Sequence, residues 1–312
     1  MALPGAAGRD EATSVSAETL FALRHIVRHV PEHRLQPTGR HGGFIGKKRG
    51  NGLEIVDVRP FVDGDDARHI DAAATARTAK THVRTFRDER ERTALLIADF
   101  RSSMVWGTRR RLRSVAAAGA LALAGWRVVE GGGRVALLAQ GVDDQIYLPP
   151  RSRERAMAAV TATLEEVHRG SIGALETGRT GAASLEHLLE QAIARSSSGT
   201  TIVLASSLDD TGPGFDRLLV AARRRFEIVL LLIRDPFETH SPKGAYPFLV
   251  IGEDQTASMR WGFVASDRKD RMDRRIEALR SSGIDLRVVE TNAEWAEIAT
   301  ALETVDGPGP RR

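Results

Sequence analysis

The stretch TALLIADFRSSMVWG, residues 93–107, decides the fold. Its first six residues carry no charge and are almost wholly apolar, and the run ends abruptly at Asp99. A short apolar run bounded by polar residues is the pattern of a strand buried on both faces, as parallel strands are. Downstream, RLRSVAAAGALALAGWRVV (111–129) reads as an alanine-rich helix closed by Gly131-Gly132-Gly133, and RVALLAQG (134–141) as a second strand with IYLPP (146–150) turning back beside it. The alternation continues with helices near 153–168 and 184–195, strand TIVLASS (201–207), helix 215–225 and strand EIVLLLIRD (227–235). A hairpin of YPFLVIG (246–252) with SMRWGFV (258–264) precedes helix 268–281, strand IDLRVVE (284–290) and helix 293–302. Apolar strands alternating with amphipathic helices predict an α/β fold with a doubly wound, mainly parallel sheet.

Composition narrows the function classes. The 312 residues contain no cysteine, which excludes disulfides, thiolate metal sites and a cysteine nucleophile. Lys+Arg 45 against Asp+Glu 41 leaves a net charge of only +4, and 40 of the 45 cations are arginine. The clusters Arg109, Arg110, Arg111, Arg113 and Arg223, Arg224, Arg225 fall on helical segments without interleaved aromatics or a recognised motif, so they read as solvated or partner-facing surface and no nucleic-acid partner is expected. The N-terminal residues are polar and acidic instead of a charged flank and apolar core, and the most apolar helical run, 115–126, is well short of the ~20 residues that span a bilayer. A cytoplasmic protein without membrane insertion is expected.

Ahead of the first buried strand the pattern changes. Leu20, Leu23, Ile26, Val27 and Val30 place one apolar stripe on a helix that Pro31 stops. His25, His29 and His33 repeat every four residues, but Pro31 interrupts the helix before the third and no glutamate completes a metalloprotease pattern. From Gly39 to Glu91 glycine, aspartate and short apolar pairs predict hairpins. Within it, Gly42 and Gly46 enclose one residue too few for a phosphate loop, and Lys48 stands where that loop needs Ser or Thr. Asp63, Asp65, Asp66 and Asp71 crowd together without the glycine and glutamate of a calcium loop, and read as a turn neutralised by Arg68. The expected organisation is a tail (1–17), an N-terminal helix (18–35), a β-rich lobe (36–91), the α/β domain (92–305) and a second tail (306–312). The connection HVRTFRDERERTALL (82–96) lacks the Gly, Ser or Pro content of a flexible linker.

In an open α/β sheet the chemistry sits at the carboxyl ends of the strands. Two ends carry oxygen ligands, Asp99-Phe100-Arg101-Ser102-Ser103 and Ser206-Ser207-Leu208-Asp209-Asp210, with the loop Gly178-Arg179-Thr180-Gly181 expected nearby. Such oxygen-rich ends can hold Mg²⁺, which takes one or two carboxylates with hydroxyls and water. Asp99, Ser103, Thr108 and Thr180 also have plain structural uses as loop and helix caps.

The runs RGNGLEIVDVRPFVDGDDARHIDAAATAR (49–77) and HVRTFRDERERTALLIADFRSSMVWG (82–107), with DPFETHSPKGAYPF (235–248) and SSGIDLRVVET (281–291), resemble the bacterial family catalogued as domain of unknown function fifty-eight. The resemblance covers about residues 39–305 and implies a von Willebrand factor A-like fold. It also implies a MoxR-type AAA+ ATPase as partner, with von Willebrand A-type membrane proteins or a dehydrogenase as further partners. ADFRSSMVWGTRR (98–110) is similar to the member of that family found in methanol dehydrogenase clusters, which implies that enzyme as the client.

Three departures bear on the site. The metal-ion-dependent adhesion motif of such domains is Asp-x-Ser-x-Ser; Asp99 and Ser103 fit it, but Arg101 stands at the middle serine. A guanidinium about 4 Å from a divalent ion at an effective dielectric near 20 is repelled by roughly 8 kcal/mol, so the motif reads as degenerate and Arg101 is expected on Asp99. Ser207 stands where the family's strand end offers aspartate, leaving Asp209 as the carboxylate that would have to reach in, and Ala72 replaces a common tryptophan. The leading expectation is a non-enzymatic adaptor with no cofactor, whose interaction face comprises Arg101, Trp106, Ser207 and Asp209. The rival is a Mg²⁺-dependent phosphoester hydrolase in which Asp99 and Asp209 hold the metal and Arg101 clamps phosphate.

Overall fold

The computed structural model describes residues 12–29, 53–62, 65, 67–78, 80–88, 93–181, 183–240, 244–251, 257–264 and 268–302. The glycine-rich run around Gly42 and Gly46, His33, Asp63, Asp66 and both expected tails beyond these limits lie outside the described residues. The chain divides into two compact units, Gln36–Glu91 and the remainder. In the larger unit the expected single N-terminal helix is two short ones, α1 (Ala17–Ala22) and α2 (Arg24–His29), parted at Leu23. Ser16 caps the first through its side chain, and Leu20 and Leu23 are buried.

The smaller unit pairs β1 (Leu53–Pro60) antiparallel with β2 (His82–Asp88). Between them come a 3₁₀ turn at Ala67–His69 and α3 (Ala72–Thr78), so among the described residues the expected hairpins are one strand pair with a helical insertion. Asp65 is held by Arg59 in a two-pronged pair at 2.7 and 2.8 Å, and Asp71 caps α3 at the Ala74 N–H while pairing with Arg84 at 2.8 Å. These two acids therefore serve a turn and a cap.

The larger unit carries the sheet. Its elements run β3 (Thr93–Asp99), α4 (Arg113–Glu130), β4 (Arg134–Gln140), β5 (Gln145–Ser152), α5 (Arg153–Glu176), α6 (Leu185–Arg195), β6 (Thr201–Ser206), α7 (Phe215–Ala222), β7 (Glu227–Arg234), α8 (Pro236–His240), β8 (Gly244–Ile251), β9 (Ala257–Val264), α9 (Arg268–Ser281), β10 (Asp285–Glu290) and α10 (Trp295–Ala301). The six-stranded sheet has the order β10-β7-β6-β3-β4-β5, with every pairing parallel except edge strand β5, and β8–β9 is a separate antiparallel hairpin. This is the mainly parallel, doubly wound α/β architecture expected from the sequence.

Strand β3 explains the two-layered core. Its alternation sends Leu96 and Ala98 to a layer with α4 and α5, including Leu121, Trp126 and Leu164, and sends Leu95 and Ile97 to a layer with α6, α7 and α9, including Leu189, Phe215 and Leu279. The alanines of α4 let that helix lie close beneath the sheet, and most of its residues are buried. Each fully buried leucine or phenylalanine contributes about 1.5–3 kcal/mol, so the sheet ends are fixed from both sides. From β3 the chain crosses through α4 to β4 on one side, whereas β6 continues through α7 to β7 on the other. The crevice between the carboxyl ends of β3 and β6 is thus the topological switch point, where open α/β sheets hold their ligands. Among the described residues no helix is long and apolar enough to cross a membrane.

Candidate functional site

Asp99, the last residue of β3, is completely buried, and so is Ser206 at the end of β6 beside it. Arg101 grips Asp99 in a two-pronged pair, Nε to Oδ1 at 2.9 Å and Nη2 to Oδ2 at 2.9 Å. Its remaining guanidinium N–H groups donate to three backbone carbonyls: Nη1 to Ala183 (3.0 Å) and Asp210 (2.9 Å), and Nη2 to Asp209 (3.0 Å). All five N–H donors of the fork are therefore satisfied by protein oxygens. Ser206 Oγ donates to Asp99 Oδ2 at 2.7 Å and accepts the Leu208 N–H at 3.0 Å. Burial works against the charge of Arg101, but the hydrogen bonds and charge of Asp99, with Asp210 and Asp209 behind, hold its pKa above the ordinary value.

This arrangement answers whether a divalent ion fits. Asp99 presents its carboxylate oxygens to Arg101 and Ser206, and the loop carbonyls that face inward are already accepting from the guanidinium. The carboxylate of Asp209 turns the other way, to Ser207 Oγ and to Arg113 Nη1, each at 2.9 Å. Asp99 and Asp209 consequently do not converge on one point, and the residues do not fit a Mg²⁺ site. The geometry also removes the phosphate clamp of the rival reading, because Arg101 has no free N–H. Among the described residues no group of three or more acidic or histidine side chains is placed to hold a metal.

Around this buried pair lies a polar pocket of about 350 Å³, lined by the Arg101–Ser103 turn, Val142, Thr180, Gly181, Ala183, Ser184 and the loop at Asp210 and Gly212. Local sequence accounts for its walls. After α5 the left-handed Gly178 (φ +79°) lets its N–H return to the Leu175 carbonyl and the Arg179 N–H to that of Ala174, which folds the chain back over the strand ends. At Gly181 (φ +68°) a Cβ would sit 2.3 Å from the Val142 carbonyl oxygen, so only glycine fits that wall. The loop after β6 holds two non-glycine residues in the left-handed region, Leu208 (φ 61°) and Asp210 (φ 47°), a costly conformation that the Arg101 bonds to Asp209 and Asp210 help to maintain.

A second cluster forms the rim. Arg113 stacks 4.6 Å from the ring centre of Trp106, donates to the Ser103 carbonyl at 3.1 Å and pairs with Asp209 and with Glu238 (2.6 Å). Phe237 meets Trp106 edge-on at 6.2 Å, and Trp106 remains 36% exposed. Trp126 is by contrast fully buried against Phe21, and Trp295 lies under Arg111.

Ser103 enters the site as pocket wall and not as an ion ligand, while Ser207, expected on the interaction face, is 2% exposed and instead donates to Asp209 inside the fold. Thr108, expected as a helix cap, donates instead through both its N–H (2.9 Å) and its hydroxyl to Asp235, while the N-cap of α4 is Leu112, which offers no side-chain bond. Asp235 is the residue that sequence reasoning missed. It is fully buried, also accepts from Phe237 N–H and Thr291 Oγ1 at 2.9 Å each, and anchors the segment after β3 to the end of β7. Burial raises its pKa, but the donors of Thr108, Phe237 and Thr291 outweigh that and hold it below the ordinary carboxylate value. The signal was available, since Asp235 ends EIVLLLIRD as Asp99 ends TALLIAD. Finally, Ser114 Oγ and His168 Nε2 lie 3.0 Å apart, but both are buried in the core and neither reaches the pocket, so the pair is structural.

The profile of the family described as protein of unknown function DUF58 matches residues 57–273. Uncharacterised proteins of Mycobacterium bovis and Mycobacterium tuberculosis are each 30% identical over 210 residues, covering 65% of this chain and 61% of the relative. The chain thus spans about three fifths of the length of those relatives. Among solved structures, the conserved hypothetical protein BatB from Bacteroides thetaiotaomicron matches with a TM-score of 0.44 and 16% identity, over 68% of this chain and 96% of that one.

Proposed function

This chain belongs to the DUF58 family, and on that premise we propose that it is a non-enzymatic interaction module acting with a MoxR-type AAA+ ATPase to assemble or activate another protein complex. The observation that carries the reading is the closure of the strand-end site. Arg101 takes the place beside Asp99 that a cation would need, with every donor matched, so the buried centre is a rigid support and not a reaction site. What this support presents outward is a polar pocket and a half-exposed tryptophan backed by Arg113. Trp and Arg are the residue types most enriched among interface anchors. The ATPase partner comes from the family resemblance of residues 39–305, and the similarity at 98–110 makes methanol dehydrogenase the first client to try.

The test mixes the purified chain with the MoxR-type ATPase of the same genome, with and without nucleotide, and measures association by sedimentation. Binding is expected, and Trp106→Ala should weaken it by more than about 1 kcal/mol while leaving the fold intact. Absence of association in every nucleotide state, or Mg²⁺-dependent phosphoesterase activity lost in Asp99→Ala, would overturn the reading.

A further inference from the structure

We propose that the pocket at the switch point receives a cationic side chain, arginine or lysine, from a partner protein. The inference rests on the reading of this chain as an interaction module and concerns what its pocket recognises. The pocket's own cation is unavailable: Arg101 is 6% exposed and its N–H groups all point at Asp99 and at the carbonyls of Ala183, Asp209 and Asp210. An incoming carboxylate would find no free guanidinium and no metal-binding set of oxygens.

What remains open is acceptor chemistry. Asp210 lines the pocket with an exposed carboxylate, and among the described residues no cationic side chain forms an ion pair with it. The hydroxyls of Ser102, Ser103 and Thr180 line the same space, and among the described residues no hydrogen bond engages them. Glu186 stands behind Gly212, accepting the Gly214 N–H at 2.8 Å, and adds negative charge at the edge. The neighbouring acids Asp99 and Asp209 are already paired, with Arg101 and Arg113, whereas among the described residues Asp210 and Glu186 have no cation at ion-pair distance. The Asp210 backbone is left-handed and its carbonyl is tied to Arg101 Nη1 at 2.9 Å, so the residue sits on a fixed loop. At about 350 Å³ the pocket is at the low end of small-ligand sites, the size for one long side chain.

The experiment titrates ¹⁵N-labelled protein with three acetylated tripeptide amides, Gly-Arg-Gly, Gly-Lys-Gly and Gly-Glu-Gly, at low salt. The arginine and lysine peptides are expected to shift the amides of Ser102, Ser103, Gly181 and Gly212 saturably, and the glutamate peptide to leave them unmoved. Asp210→Asn should weaken the cationic peptides about fivefold with thermal stability unchanged, because asparagine tolerates the left-handed backbone. Equal or tighter binding of the glutamate peptide, or no shift of these amides by any peptide, overturns the proposal. Neither of those results touches association with the ATPase, which is judged separately through Trp106→Ala, so the pocket's polarity and the adaptor reading fail independently.

Discussion

Arg101→Met is expected to destabilise the protein by about 3–5 kcal/mol, the cost of leaving a buried charge without its partner. In the native protein Asp99 is completely buried and its two oxygens are met by Arg101 and Ser206. Methionine fills a comparable volume but supplies none of the donors, so the carboxylate and the carbonyls of Ala183, Asp209 and Asp210 all lose theirs. Chemical denaturation read by circular dichroism measures the loss. Lysine at the same position should recover only part of it, since an ammonium is a point charge with three donors and cannot copy the planar fork. Pairing Arg101→Met with Asp99→Asn should restore stability relative to Arg101→Met alone, because removing the charge is cheaper than orphaning it. A loss below about 1 kcal/mol for Arg101→Met would mean that the pair is solvated and behaves as a surface ion pair.

The second large effect is set by pH. Burial pushes the His168 imidazole down from 6.5 to about 4, in a core site beside Ser114 and edge-on to Phe100 at 5.6 Å. The folded protein therefore keeps this residue neutral while the unfolded chain protonates it normally. Its contribution is fully present above pH about 6.5 and is lost progressively as pH falls toward 4, where the folded state also takes up the proton. A shift of this size corresponds to roughly 3 kcal/mol across that window. Denaturation midpoints measured from pH 7 to pH 4 should fall steeply in the native sequence and much less in His168→Gln, which cannot be charged. Parallel curves for the two proteins would show that His168 titrates normally in the fold.

The sheet was legible because its signals are local and strong. Uninterrupted apolar runs such as TALLIAD and EIVLLLIR cannot be placed anywhere but between two layers, and their order with the helices dictated a parallel sheet. The pairing of Arg101 with Asp99 was legible too, since the two residues lie two apart on a strand end and their charges oppose. The three carbonyls that complete the arginine's shell were not. Backbone carbonyls carry no sequence signal, and Ala183 and Asp210 reach Arg101 only through loops that are distant along the chain. Asp209 illustrates the same limit: its position after β6 suggested an inward ligand, but the left-handed turn at Leu208 sends its carboxylate to Arg113 instead. The N-terminal stripe misled differently, because its apolar spacing is continuous across Leu23 while the backbone divides there into two helices.

The central claim is that Arg101 is the resident cation of the strand-end site, and thermal unfolding with and without millimolar Mg²⁺, Mn²⁺ or Ca²⁺ tests it most directly. A metal present at a hundred times its dissociation constant stabilises a protein by about 2.7 kcal/mol, a shift that is readily measured. The account predicts no shift for the native sequence with any of the three ions. A metal-dependent rise in the unfolding temperature that is abolished in Asp99→Asn would contradict it.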